Sequence, residues 1–142
     1  MNLEHILNKQ FKTVEITKNS ASYFNCRCHL NSINYAFNKN SEINKGHLME
    51  PVEVYLCFSF VFNTTKNKLN TFPIIHFINK ENGEYLDNTF GWYSRRCIHY
   101  LVCEIKENKY NSIGKYFNKK HLYKLLTNLN IFEKLYLLYK LK

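Results

Sequence analysis

Chain-breaking residues are nearly missing from this sequence, which has two prolines and four glycines in 142 residues. Flexible linkers are rich in such residues, and no Ser/Gly-rich or Pro-rich stretch separates one half of the chain from the other. No internal repeat is visible, and this length supports one ordinary hydrophobic core rather than two. A single domain over residues 1–142 is therefore expected. No apolar run approaches the length of a bilayer span, and Glu4 and His5 interrupt the first ten residues where a secretory signal needs an apolar centre. Neither export nor a membrane partner is expected. A Gly-rich phosphate loop is also absent, and no cofactor is expected. Cysteine is present, but in an odd number, five, at spacings that match no dense disulfide scaffold. This points to reduced thiols and a cytoplasmic location.

Arginine is scarce too, being confined to Arg27, Arg95 and Arg96. The formal charge of +9 would normally direct attention to nucleic acid. The guanidinium group best suited to phosphate is almost lacking, however, and abundant Lys, Asn, Ile, Phe and Tyr bear the mark of an AT-rich genome. Nucleic acid is thus an admissible partner but not the favoured one. Against these deficits stands a hydrophobic fraction of 45%, with 16% aromatics, enough to exclude a disordered chain.

The pattern predicts an α+β domain. Leu3 to Asn8 reads as a short helix and Phe11 to Thr17 as a strand, followed by a polar loop from Lys18 to Arg27. Leu30, Ile33, Asn34, Ala36 and Phe37 then recur at helical spacing, predicting a helix from near Cys28 to near Asn40. After Pro51, Val52, Val54, Leu56, Phe58, Phe60 and Phe62 alternate through a central strand. A polar loop from Asn63 to Asn70 leads to a strand over Phe72 to Asn79. Asn82-Gly83 then marks a two-residue hairpin turn, because a type I′ turn needs positive φ at both positions. A last strand runs from Ile98 to Ile105, with Cys97, His99, Leu101, Cys103 and Ile105 assigned to one face. The resulting picture is a Cys-bearing helix packed on an antiparallel β-meander. The tail carries Leu122, Leu125, Leu126 and Leu129, then Leu135, Leu138 and Leu141, in two helices or one kinked helix covering the sheet. Asn130 and Glu133 have capping-box spacing at the start of its second part.

The hairpin can be registered residue by residue. Glu81 pairs with Glu84, which sets Ile78 opposite Asp87 and His76 opposite Thr89. His76 and Asp87 are then diagonal neighbours on one face, near the span of an imidazole–carboxylate hydrogen bond. Such a carboxylate fixes the tautomer and stabilises the imidazolium. Cys28 is the candidate nucleophile because it stands where a loop enters a helix, and first-turn N–H groups favour a thiolate. Cys26, two residues away, competes for this role. Trp92, Tyr93 and Arg95, in the segment after Asp87, are candidate substrate-binding residues or equally a cover for the core edge. Cys26, Cys28 and His29 with Cys97, His99 and Cys103 offer enough soft ligands for a structural zinc. Cys-x-Cys-His lacks the usual knuckle spacing, so no metal is expected.

Cys28-His29-Leu30-Asn31-Ser32, His76 within Ile-Ile-His-Phe and Leu86-Asp87-Asn88-Thr89 together resemble the papain-like superfamily in its broad sense, including NlpC/P60 and transglutaminase-like thiol enzymes. More narrowly, they are similar to small phage and bacterial proteins with Cys-x-x-Asn-Ala/Ser, a strand His and Asp-x-Thr. The resemblance covers about half the chain. It implies a papain-like fold and a thiol hydrolase or acyltransferase acting on a peptide, amide or ester. In it Cys28 is nucleophile, His76 acid and base, and Asp87 the orienting group. No Gln precedes Cys28 as in papain-like enzymes, which leaves the Cys28 N–H and Asn25 as oxyanion donors, with Asn31 in support. The competing expectation is a non-catalytic binding protein on the same scaffold, such as a phage-encoded inhibitor of a host protein or nucleic-acid complex.

Overall fold

A computed structural model describes residues 1–43 and 50–142. The elements are α1 (Leu3–Gln10), β1 (Lys12–Val14), α2 (Cys28–Ile43), β2 (Glu53–Phe60), β3 (Phe62–Asn63), β4 (Lys68–Leu69), β5 (Ile74–Glu81), β6 (Glu84–Leu86), β7 (Ile98–Ile105), α3 (Lys119–Leu125) and α4 (Ile131–Lys140), with 3₁₀ turns over Gly91–Arg96 and Glu107–Phe117. The expected α+β class is borne out. The polar loop from Asn63 to Asn70 holds the small β3–β4 hairpin, which was not foreseen.

The main sheet is antiparallel with order β1-β7-β2-β5-β6. Only β2, β5 and β6 follow one another as a meander. β7 crosses back to the other edge of β2, which makes β2 the central strand and corrects the expected simple meander. Turn chemistry fixes the hairpin register: Asn82 and Gly83 have φ of 51° and 81°, and Glu81 pairs with Glu84.

The register of β7 against β2 shifts between Leu56 and Cys57, so that Leu101 faces Cys57 while Cys103 faces Leu56. One extra residue inverts the alternation beyond it. His99 and Leu101 therefore lie on one face, whereas Cys103 and Ile105 join Tyr100 on the other, correcting the single face assigned to all four. The larger core holds Val54, Leu56, Phe58, Phe77, Tyr100 and Ile105 against Leu7, Ala36, Leu122, Leu126 and Leu137. A smaller cluster of Ile16, Cys57 and Ile78 covers the opposite face.

α2 meets the sheet through Ser32 and Ala36, both buried, and Asn79 Nδ2 donates to the Ser32 carbonyl at 2.9 Å. Leu30 and Phe37, taken from the sequence as part of the buried stripe, are exposed. The apolar pattern misleads because the buried stripe is built from small residues that let helix and strand approach closely. In α4 the predicted capping box is present, Asn130 and Glu133 each bonding the other's backbone N–H. Leu137, Leu138 and Leu141 are buried, whereas Leu135 faces outward.

Candidate functional site

β6 ends at Leu86, so past the Asn79–Leu86 pair the edge of β5 has no strand beside it. The chain from Asp87 to Gly91 fills this edge, and the loop before α2 is laced to it by bonds from Tyr23 N–H to the Asn88 carbonyl and from Phe24 N–H to the Thr89 carbonyl. Asn31 completes the join, its Nδ2 donating to Thr89 Oγ1 and to Asn25 Oδ1, each at 2.8 Å. Three segments distant in sequence thus bring the start of α2 to His76.

The turn back to β7 depends on Gly91, whose φ is 58°. A Cβ there would stand 1.6 Å from Ser22 Oγ and 2.8 Å from Ser22 Cβ. Gly91→Ala must therefore push the Ser22 segment away as well as strain its own backbone. Its expected cost is about 1–3 kcal/mol, read as a lower denaturation midpoint, with amide exchange of Tyr23 and Phe24 increasing most.

His76 and Asp87 are both fully buried, and His76 Nε2 lies 2.6 Å from Asp87 Oδ2. The carboxylate is saturated. Its Oδ1 accepts from Thr89 N–H at 2.9 Å and Phe90 N–H at 3.0 Å, and Oδ2 also accepts from Ser94 Oγ at 2.7 Å. Burial works against both charges, yet the pair wins. Asp87 is brought down by the His76 charge and hydrogen bond, then by Ser94 and the Phe90 N–H. Burial likewise lowers His76, but the Asp87 charge and hydrogen bond, followed by the Cys28 side chain, raise it well above the ordinary histidine range. The imidazolium–carboxylate pair is the form this site favours.

With Nε2 committed to Asp87, the ring nitrogen left for Cys28 is Nδ1. The Cys28 side chain reaches the ring closely enough to influence its protonation, without an aligned sulfur–nitrogen hydrogen bond among the described residues. Catalytic contacts are commonly loose before substrate binds. Cys28 is partly buried at the first residue of α2, whereas Cys26 is exposed in the preceding loop. The ring of His76 is clamped between Phe90, stacked at 4.6 Å and 14°, and His99 at 5.9 Å.

The remaining predicted residues separate. Tyr93 belongs to an aromatic lip in which Phe24 packs on Phe90 and Tyr93, and exposed Trp92 packs on Tyr93 at the outer end. Arg95 does not join it: its Nη2 donates to the Thr17 carbonyl and Asn19 Oδ1, anchoring the loop after β1. Asn31 spends its amide N–H groups on Asn25 and Thr89, so it supports the site and does not face a reacting oxygen. Asn25 Oδ1 accepts from Arg27 N–H, while its Nδ2 has no partner among the described residues. Asn25, Asn31, Tyr23, Tyr35 and Asn88 line a polar cavity of about 420 Å³ beside the start of α2.

The sequence points to neither Ser59 nor Phe24, offers Phe90 and Ser94 only within the segment after Asp87, and offers His99 only as a zinc ligand. The available signal was a polar residue at an inward strand position, since buried Ser59 and His99 must find partners. His99 finds Ser59 and Ser94, and Cys103 lies across the sheet from it. Among the described residues no group of three or more His, Cys, Asp and Glu side chains is arranged to hold a metal ion. Comparison with known proteins finds no matching family model, no matching curated protein and no matching solved structure.

Proposed function

We propose that this chain is a thiol-dependent hydrolase or acyltransferase that cleaves an amide or ester through Cys28, His76 and Asp87, in a papain-like arrangement of a helix-borne sulfur and a strand-borne imidazole. The observation that carries this reading is the buried His76 ring, fixed by Asp87 through Nε2, with the Cys28 side chain close enough to influence its protonation. A ring held protonated is poorly suited to wait as a base for a neutral thiol. It suits a resting thiolate–imidazolium pair, which Asp87 stabilises from behind.

In the first step the Cys28 thiolate attacks the substrate carbonyl carbon, and the carbonyl electron pair moves onto oxygen. The backbone N–H groups at the start of α2, with Asn25 Nδ2, are the donors this reading assigns to that oxyanion. As the tetrahedral intermediate collapses, the bond to the leaving nitrogen or oxygen breaks and Nδ1–H of His76 supplies its proton. A thioester on Cys28 remains. Neutral His76 then takes a proton from water, or from an acceptor amine or alcohol, which attacks the thioester and releases product and thiolate. The aromatic lip, whose Phe90 stacks on the His76 ring, supports a substrate with an apolar portion beside the scissile bond.

The test exploits two cysteines only two residues apart. An electrophilic probe for acyl-transferring thiols, such as a vinyl sulfone, is expected at pH 6 to label Cys28 ahead of the more exposed Cys26, as read by peptide mapping. Labelling that follows exposure, Cys26 first, would overturn the catalytic reading and leave a binding protein whose exposed Tyr23, Phe24 and Trp92 meet a host partner.

A further inference from the structure

Behind Asp87 lies a buried row of polar groups that the three-residue mechanism does not use. Ser94 Oγ is 2.7 Å from Asp87 Oδ2 and 2.7 Å from His99 Nε2, and His99 Nδ1 is 2.7 Å from Ser59 Oγ. Ser59, Ser94 and His99 are fully buried. An ionised Asp87 only accepts, so the single Ser94 hydroxyl proton points to it. Ser94 Oγ must then accept from His99 Nε2–H, and the Ser94 carbonyl, 3.1 Å from Nε2, can also only accept. With His99 neutral beside a charged His76 ring, Nδ1 is unprotonated and accepts from the Ser59 hydroxyl. Every dipole in the row points toward the carboxylate, and such chains polarise one another.

We propose that Ser94 and His99 are positioning residues of this site, a neutral imidazole locking the Ser94 hydroxyl onto Asp87 so that the carboxylate stays ionised and aligned with His76. The proposal rests on the catalytic reading above and extends it past the third residue. Burial and then the His76 charge push His99 down to about 4, which keeps it neutral where His76 is charged. Two stacked imidazolium rings 5.9 Å apart would repel, so the pair divides the roles of cation and neutral donor. The other titratable groups acting on Asp87 and His76 are Cys28 on α2, Cys57 on β2 and Cys97 before β7. Burial raises Cys57 and Cys97, the latter to about 11, so neither titrates in the working range. An apolar filler in place of His99 would fit the same space but would release Ser94.

The experiment compares Ser94→Ala, His99→Leu and His99→Gln by the pH profile of Cys28 alkylation, alongside ¹⁵N chemical shifts of the His76 and His99 rings in the unaltered protein. Ser94→Ala and His99→Leu are expected to slow alkylation about tenfold and to move its acid limb upward by about one pH unit, because an unsupported Asp87 takes its proton earlier. His99→Gln, whose amide N–H can replace Nε2–H, should restore most of the rate. In the unaltered protein His99 should be the neutral Nε2–H tautomer from pH 5 to 8. Unchanged profiles in folded Ser94→Ala and His99→Leu, or a His99 protonated on Nδ1, would overturn the proposal while leaving Cys28 and His76 intact. An unreactive Cys28 in the unaltered protein would instead overturn the catalytic reading beneath it.

Discussion

Replacing His76 with Ala is expected to slow the reaction of Cys28 with iodoacetamide at pH 6 by about two orders of magnitude, the scale on which an ordinary thiol lacks its thiolate at that pH. An ordinary thiol, with a pKa of about 8.5, is almost wholly protonated at pH 6. Fast alkylation there requires a cation against the sulfur, and His76 is the charged group the structure brings to Cys28. Arg27 adjoins Cys28 in sequence but is exposed to solvent, where its charge is screened. Three other cysteines serve as internal references. Cys57 is buried and pushed up, and Cys97 and Cys103 are both raised to about 11 by burial, so all three should react slowly with or without His76. Alkylation of Cys28 in a folded His76→Ala protein at the original rate would remove the imidazole from the chemistry altogether.

How far the site could be read in advance depended on the range of the interactions involved. The start of the hairpin was legible because a turn of two residues fixes strand register locally, but the ladder stops at Asn79–Leu86, so the expected Ile78–Asp87 and His76–Thr89 strand pairs do not form and His76 meets Asp87 from the turn that follows β6. Placing Cys28 at the head of a helix was legible for the same reason, a local change from polar loop to 3.6-residue periodicity. The insertion of β7 between β1 and β2 was not, because strand order in a sheet is a tertiary choice that no local pattern encodes. Ser94 and His99 are only five residues apart, but their partners Asp87 and Ser59 come from other elements, and those bonds depend on the same strand order. The bulge beside Leu56 and Cys57 hid one more relation. Strict alternation put Cys103 with His99, and only an unpaired extra residue separates them onto opposite faces.

Loss of the Asp87 carboxylate is expected to lower global stability by about 3–5 kcal/mol, the range for breaking a buried ion pair by removing one partner. Asp87→Asn keeps the volume but leaves His76 without its counter-charge. Burial then pushes the ring below the ordinary histidine range and neutralises it. The pH dependence of unfolding separates this electrostatic loss from simple misfit. Asp87 has a depressed folded pKa, about 2 against an unfolded value near 4, so its contribution is present above pH 4 and lost as pH falls toward 2. His76 has a raised folded pKa, so its contribution is complete below about pH 6.5 and declines as pH rises beyond that. His99 is depressed, to about 4, and its contribution is complete above about pH 6.5 and declines as pH falls from there to 4. The two histidines pull in opposite directions from the same pH. Stability should therefore peak near pH 6.5, as measured by urea unfolding from pH 4 to 9. Asp87→Asn should abolish the alkaline decline, since a neutral His76 has nothing left to lose there. His99→Gln should abolish the decline between pH 6.5 and 4 while sparing the alkaline one. A variant that lowers stability equally at every pH would mean that Asp87 holds the 87–94 turn by its hydrogen bonds alone, with His76 neutral throughout.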